Sequence, residues 1–353
     1  MIPDSKVLQK ILDDAVASGE ECGCQLAVFK NGKPILSLSA GFTSPDRSAP
    51  VDENTLYPIF SSGKSIAATA IHRLVEKGIL HYDDRVGDYW TEFACNGKED
   101  IRLWHLLSHR AALAETPPTD SVLQWAEWDL MCSKLAGMKP AWKPGTKSAY
   151  HGITFAWLIG ETASRADGRP FKQIVEEEVL NPLHLNSFFF GTNPEADARI
   201  APVDMTDAAD PDDWRKEMDN PVYRHGFIPS FNGITNAFSL AKYYASLIGT
   251  VDGVRLLKPE TVALAATLCR SADDPIPPEG TWAKFGLGYA LSGPPENLGR
   301  IFGHGGALGA EGFADRETGL AFGFTKNKVN RTHPVHPVRD RISEAFGLPL
   351  RHW

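Results

Sequence analysis

The sequence predicts an α/β (α+β) protein in which one layer of strands is supplied by both ends of the chain and interrupted by a largely helical insert. Two observations lead there. Strand-type patterns gather in 25–41 and again in 285–325, and helical and loop patterns fill the middle to about residue 220 without any internal repeat. The division that follows is a discontinuous α/β unit, 1–60 and 225–353, and a mostly helical unit, 61–224, with the cleft between them as the expected place for a site.

Each element has its own signal. An amphipathic helix is expected over 7–17. Residues 25–41 hold two apolar runs around Asn31-Gly32, the dipeptide favoured by two-residue hairpin turns. Between Ser62 and Lys77 the residues Ile66, Ala67, Ala70, Ile71, Leu74 and Val75 recur at helical spacing, and Gly78 provides a C-cap. The Pro- and Asp-rich stretch 202–221 reads as surface loop. After Gly233 a helix runs through Leu240, Tyr243, Tyr244 and Leu247. Strand candidates follow at 285–291, 300–302, 310–314 and 320–325, and a helix at 337–346.

Composition narrows the function classes. At 353 residues, 23% charged and 42% hydrophobic, the chain can bury a core and is not a disordered one. A net charge of −8 with no Lys/Arg stripe argues against nucleic acid and against an anionic membrane surface. No apolar run reaches the ~18 residues of a membrane span; the longest is the short stretch 153–160. The first residues lack the apolar core and cleavage site of a secretory signal. Cys22, Cys24, Cys95, Cys132 and Cys269 are an odd set without repeated spacing, which disfavours a disulfide framework or a zinc ribbon. A cytoplasmic protein without cofactor or metal is expected.

Ser61-Ser62-Gly63-Lys64 sets a serine three residues ahead of a lysine at a strand-to-helix junction, so both side chains share one face of the first turn. A partly desolvated lysine there can take the serine proton, and the helix N-terminus favours developing negative charge. About one Ser-x-x-Lys match is expected by chance in such a chain, and a second, Ser239-Leu240-Ala241-Lys242, falls inside a helix and reads as surface helix. Serine is also a common N-cap, which is the plainer reading of Ser61. Gly63-Lys64-Ser65 resembles the end of a phosphate-binding loop, but Pro58 stands where that loop needs glycine. His105 and His109 have zinc-helix spacing without the glutamate, and read as structural histidines. The His333–His336 loop carries no assigned chemistry, and a Gly-x-Ser-x-Gly elbow is absent. Tyr150 stands at an expected helix start in Ala149-Tyr150-His151-Gly152, and Gly303-His304-Gly305-Gly306-Ala307 is a glycine-rich strand whose backbone can lie close against a ligand.

Taken in order, Ser61-x-x-Lys64, Tyr150-His151-Gly152 and His304-Gly305-Gly306 resemble the three active-site elements of the penicillin-recognising serine hydrolases. The likeness is nearest to class C β-lactamases and family VIII carboxylesterases, and it extends along the chain from about Cys24 to Lys326. The resemblance implies a β-lactamase/transpeptidase-like fold, an antiparallel sheet flanked by helices plus a mostly helical domain. It makes Ser61 the nucleophile, Lys64 its proton acceptor and Tyr150 the proton shuttle. The backbone N–H groups of Ser61 and Ala307 become the oxyanion hole, with His151, Gly152, His304, Gly305 and Gly306 in substrate binding.

Two departures from that family bear on substrate. Gly152 replaces the usual asparagine, removing the amide that would hold an acylamino group, and His304 replaces the lysine that would meet a carboxylate. Loss of one charged hydrogen bond is worth ~1.5–3 kcal/mol. A serine hydrolase of small to medium carboxylic esters is therefore expected. A β-lactamase, amide hydrolase or acyltransferase of the same fold is the alternative, and a non-catalytic binding or sensing module is the alternative of another class.

Overall fold

The computed structural model describes residues 2–210, 213–269, 284–329 and 337–351. His333 and His336 lie outside them. The main sheet has six strands: β1 (Gly23–Lys30), β2 (Lys33–Gly41), β6 (Ala290–Ser292), β7 (Ile301–Gly305), β8 (Glu311–Asp315) and β9 (Leu320–Lys326). Their order is β2-β1-β9-β8-β7-β6, and every neighbouring pair is antiparallel. Both ends of the chain thus share one sheet, joined where Cys24–Lys30 pairs with Lys326–Leu320. A smaller sheet, ordered β3-β5-β4, links Tyr57–Pro58 (β3) through Gly233–Thr235 (β5) to Phe188–Phe190 (β4).

Alternation along β1 explains the layering. Leu26 and Val28 face one side and join Leu8, Leu12 and Ala15 of the Ser5–Ala17 helix with Val338, Ile342 and Phe346 of the Pro337–Phe346 helix. Ala27 and Phe29 face the other side, where the Ala237–Ile248 helix packs. That helix lies so close that a Cβ at Gly312 would meet the Tyr244 ring at 2.3 Å, and one at Gly323 the Ala237 carbonyl at 2.2 Å. Each fully buried Leu or Phe contributes roughly 1.5–3 kcal/mol, so both faces of the sheet are held. The expected hairpin turn is present, with Asn31 and Gly32 at φ of 49° and 79°.

Three local expectations are corrected. The strand expected over 285–291 begins only at Ala290, which also bridges back to Phe285, because Gly286 and Gly288 turn the chain: a Cβ at Gly286 would strike the Ala265 carbonyl at 2.0 Å, and Gly288 has φ of 83°. The second Ser-x-x-Lys copy is not on a surface helix. Ser239, Leu240 and Ala241 are buried against the sheet, and Lys242 pairs with Asp252 at 2.8 Å. The stretch 202–221 is more than loop, since it holds a short 3-10 helix, Trp214–Asp219, and buries Met218. No helix among the described residues is long and apolar enough to cross a membrane.

Candidate active site

The Gly63–Glu76 helix begins beneath the sheet. Ile59 donates its N–H to the Gly233 carbonyl at 2.8 Å, and the chain then turns through Phe60 at φ 46°, a left-handed conformation that bulky residues rarely adopt. A 3-10 turn, Phe60–Ser62, follows and presents Ser61. The Ser62 hydroxyl donates to the His304 carbonyl at 3.0 Å, tying this turn to β7. A Cβ at Gly306 would lie 2.1 Å from the Ile59 carbonyl, so only glycine lets the strand's continuation approach the turn.

Lys64 is fully buried in the first turn of the helix, with its Nζ 3.0 Å from Ser61 Oγ and donating to the Ser230 carbonyl at 2.6 Å. No carboxylate reaches it among the described residues, and burial holds its pKa well below the ordinary lysine value. In its unprotonated form the amine keeps a donor hydrogen for the Ser230 carbonyl and has a lone pair for the serine proton. Nothing in the residue type at 230 signals this role, because a main-chain carbonyl supplies it. The Ser230 side chain has its own task, accepting the Ala156 N–H at 2.8 Å.

Tyr150 comes to the same place from an irregular segment, not from a helix start. The helix begins only at Phe155, after Thr154 donates its hydroxyl to the Leu113 carbonyl. The Tyr150 ring stacks on Phe285 at 5.6 Å, packs on His109 at 4.9 Å, and has Lys64 Nζ 5.0 Å from its centroid. Burial raises its hydroxyl pKa, with the Ser61 hydroxyl opposing.

His304 Nδ1 lies 2.7 Å from the Gly305 carbonyl, which can only accept, so the proton sits on Nδ1 and Nε2 carries the lone pair. Nε2 faces the Tyr150 hydroxyl at 3.4 Å. Burial, reinforced by Lys64, pulls the His304 pKa down to about 3, and the imidazole is neutral. The expected residues Ser61, Lys64, Tyr150 and His304 therefore form one connected group. The backbone N–H groups of Ser61 and Ala307 have no hydrogen-bond partner among the described residues.

Other expected contacts are placed differently. His151 is fully buried; its Nδ1 donates to the Ala149 carbonyl at 2.7 Å and its Nε2 accepts the Leu113 N–H at 3.1 Å, so it braces the Tyr150 segment. Gly306 gives its N–H to the Ala310 carbonyl and packs against Ile59. Gly152 has open space: an added Cβ would meet only the Tyr150 ring, at 3.9 and 4.0 Å. His105 Nδ1 and His109 Nδ1 each accept a backbone N–H at 3.1 Å, from Arg102 and His151, as structural histidines do. Phe188 and Phe190 are core residues of β4. Sequence reasoning passed over Trp214, whose ring stands edge-on to Phe60 at 5.5 Å.

Comparison with known proteins identifies the family and the fold. A family model described as "Beta-lactamase" matches residues 8–345. The esterase/beta-lactamase LipL of Mycobacterium tuberculosis is 29% identical over 337 residues, covering 87% of this chain and 77% of LipL. A family VIII carboxylesterase crystal structure superposes with a TM-score of 0.86 at 27% identity, covering 98% of each chain. A penicillin-binding-protein homolog from Caulobacter crescentus superposes with a TM-score of 0.85 at 30% identity, again over 98% of each chain. With sequence and fold matched over nearly its whole length, the chain belongs to the beta-lactamase family and is a serine hydrolase of that fold.

Proposed function

We propose that the chain is a serine carboxylesterase acting on small to medium uncharged esters. The observation that carries the reading is the 3.0 Å contact between Ser61 Oγ and the buried Lys64, whose pKa burial holds well below the ordinary lysine value. Lys64 takes the Ser61 proton as Oγ attacks the ester carbonyl, and the new oxyanion is held by the Ser61 and Ala307 N–H groups, each worth ~3 kcal/mol in the transition state. The carbonyl–oxygen bond of the alcohol then breaks. Tyr150 passes a proton to the departing alkoxide and is restored from Lys64. Water attacks the acyl-enzyme with the roles reversed, its proton going by Tyr150 and Lys64 back to Ser61.

Substrate class is supported by what faces Tyr150. Neutral His304 offers a lone pair, not a fixed cation, and Gly152 offers no amide, so carboxylate-bearing lactams lose two anchors that an ester does not need. The family VIII carboxylesterase neighbour supports the same reading, and LipL is named both an esterase and a beta-lactamase. All five cysteines are free thiols, which supports a reducing, cytoplasmic setting. The test is a p-nitrophenyl ester panel of increasing acyl length run beside nitrocefin. Esters should turn over with kcat/KM at least about 30-fold above nitrocefin, the sum of one lost charged contact and one lost amide contact. Nitrocefin turnover exceeding every ester would establish the lactamase alternative.

A further inference from the structure

Two adjacent residues of the stretch expected as surface loop reach both halves of the oxyanion hole, and the residue before them orients one of the two. Trp214 places its ring edge-on to Phe60 at 5.5 Å and 80°, and edge-on to Phe231 at 6.0 Å and 88°. Phe60 is the residue whose peptide carries the Ser61 N–H, and its left-handed φ needs outside support to persist. Arg215 Nη1 donates to the Ala307 carbonyl at 3.0 Å, on the residue whose N–H is the second donor. Asp213 accepts Arg215 Nε at 2.9 and 3.0 Å and the Arg215 backbone N–H at 2.9 Å, which fixes the guanidinium fork with Nη1 toward Ala307.

The two donor residues are otherwise held by different parts of the chain, one at the head of a helix and one at the end of a strand. Trp214 remains 39% exposed, so burial of its ring is not what fixes this segment. We infer that Trp214 and Arg215 form a clasp that sets the Ser61 and Ala307 N–H groups relative to each other, making Arg215 a positioning residue for acyl transfer. The inference rests on the oxyanion assignment proposed above. Displacement of a preorganised donor by a fraction of an ångström costs rate and leaves substrate affinity largely intact.

The experiment compares wild type with Arg215→Ala, Arg215→Lys and Trp214→Ala on one p-nitrophenyl ester, with an arylboronic acid as tetrahedral analogue and circular dichroism to verify folding. Arg215→Ala should lower kcat about 10- to 100-fold with KM within about threefold, and weaken boronate inhibition by the same factor as kcat. Arg215→Lys should recover part of the loss because its ammonium still reaches Ala307 while losing the Asp213 fork. Free guanidinium should partly rescue Arg215→Ala. Trp214→Ala should show the same kcat-selective loss, smaller in size. The clasp is overturned if folded Arg215→Ala keeps kcat within about twofold, or if its kcat falls while boronate inhibition is unchanged. Wild-type turnover by Ser61→Ala would instead overturn the serine-hydrolase assignment itself, and fluorophosphonate labelling of Ser61 separates the two failures.

Discussion

The chain carries the same four-residue pattern twice, and the two copies have opposite fates. At Ser61–Lys64 the serine precedes the helix on a strained turn, and the lysine is buried with the serine oxygen, the Ser230 carbonyl and the Tyr150 ring beside it. At Ser239–Lys242 the pattern lies within the Ala237–Ile248 helix, where the Ser239 N–H donates to the Asn236 cap at 2.8 Å and Lys242 pairs with the exposed Asp252. Lys242 is held by a carboxylate. Burial among carbonyls pushes the Lys64 pKa well down, which suits it to take a proton. Spacing sets up the contact; the environment decides whether it is chemistry.

The largest effect that would sharpen this contrast is on the serines. Ser61→Ala should lower ester kcat/KM at least about 10,000-fold, and Ser239→Ala should leave it within about twofold. Steady-state kinetics on a short-chain p-nitrophenyl ester checks both, and equal losses would break the comparison. Next, Lys64→Met should lower kcat about 100- to 10,000-fold, and Lys242→Met, which removes only the contact with the exposed Asp252, should leave kcat within about twofold.

The pH profile separates the lysines further. Lys64 works as the free amine, so kcat/KM should hold above its lowered pKa and fall as pH drops through it. His304, neutral down to about 3, contributes nothing to that limb. The stability sign is the same. In the unfolded chain Lys64 is protonated below its ordinary value, so folding releases a proton, and this contribution to stability rises with pH and is lost on acidification. Lys64→Met should flatten that slope in urea melts recorded across pH, and raise stability near neutrality by about 0.5–2 kcal/mol.

A smaller effect tests the substrate side. Gly152→Asn fits the open space beside Tyr150 and should fold with unchanged melting temperature. One restored amide contact is worth ~0.5–1.5 kcal/mol, so nitrocefin kcat/KM should rise up to about tenfold while ester turnover changes little. An unchanged nitrocefin rate would show that position 152 does not limit lactam use.

What was legible in the sequence follows from how each group acts. Ser61, Lys64, Tyr150 and His304 act through side chains in short local patterns, and the Asn31-Gly32 turn demands its residue types, so all were readable. Ser230 was not, because it serves Lys64 through a main-chain carbonyl 166 residues away that any residue could provide. Trp214 and Arg215 lie in text rich in Pro and Asp, where only the fold reveals that they touch Phe60 and Ala307. Tyr150 was recognised, but its segment was taken for a helix start, because the brace that holds it extended, His151 between Ala149 and Leu113, is made by folding. The antiparallel order of the sheet came from the family likeness, since strand patterns alone do not fix partners.

The most direct measurement is intact-mass and peptide mapping of enzyme quenched in acid during turnover of a p-nitrophenyl ester. The account predicts one acyl group per chain, on Ser61, present in wild type and absent from Ser61→Ala, with Ser239 unmodified in both. An acyl group on any other residue, or ester turnover that proceeds undiminished in Ser61→Ala, would contradict it.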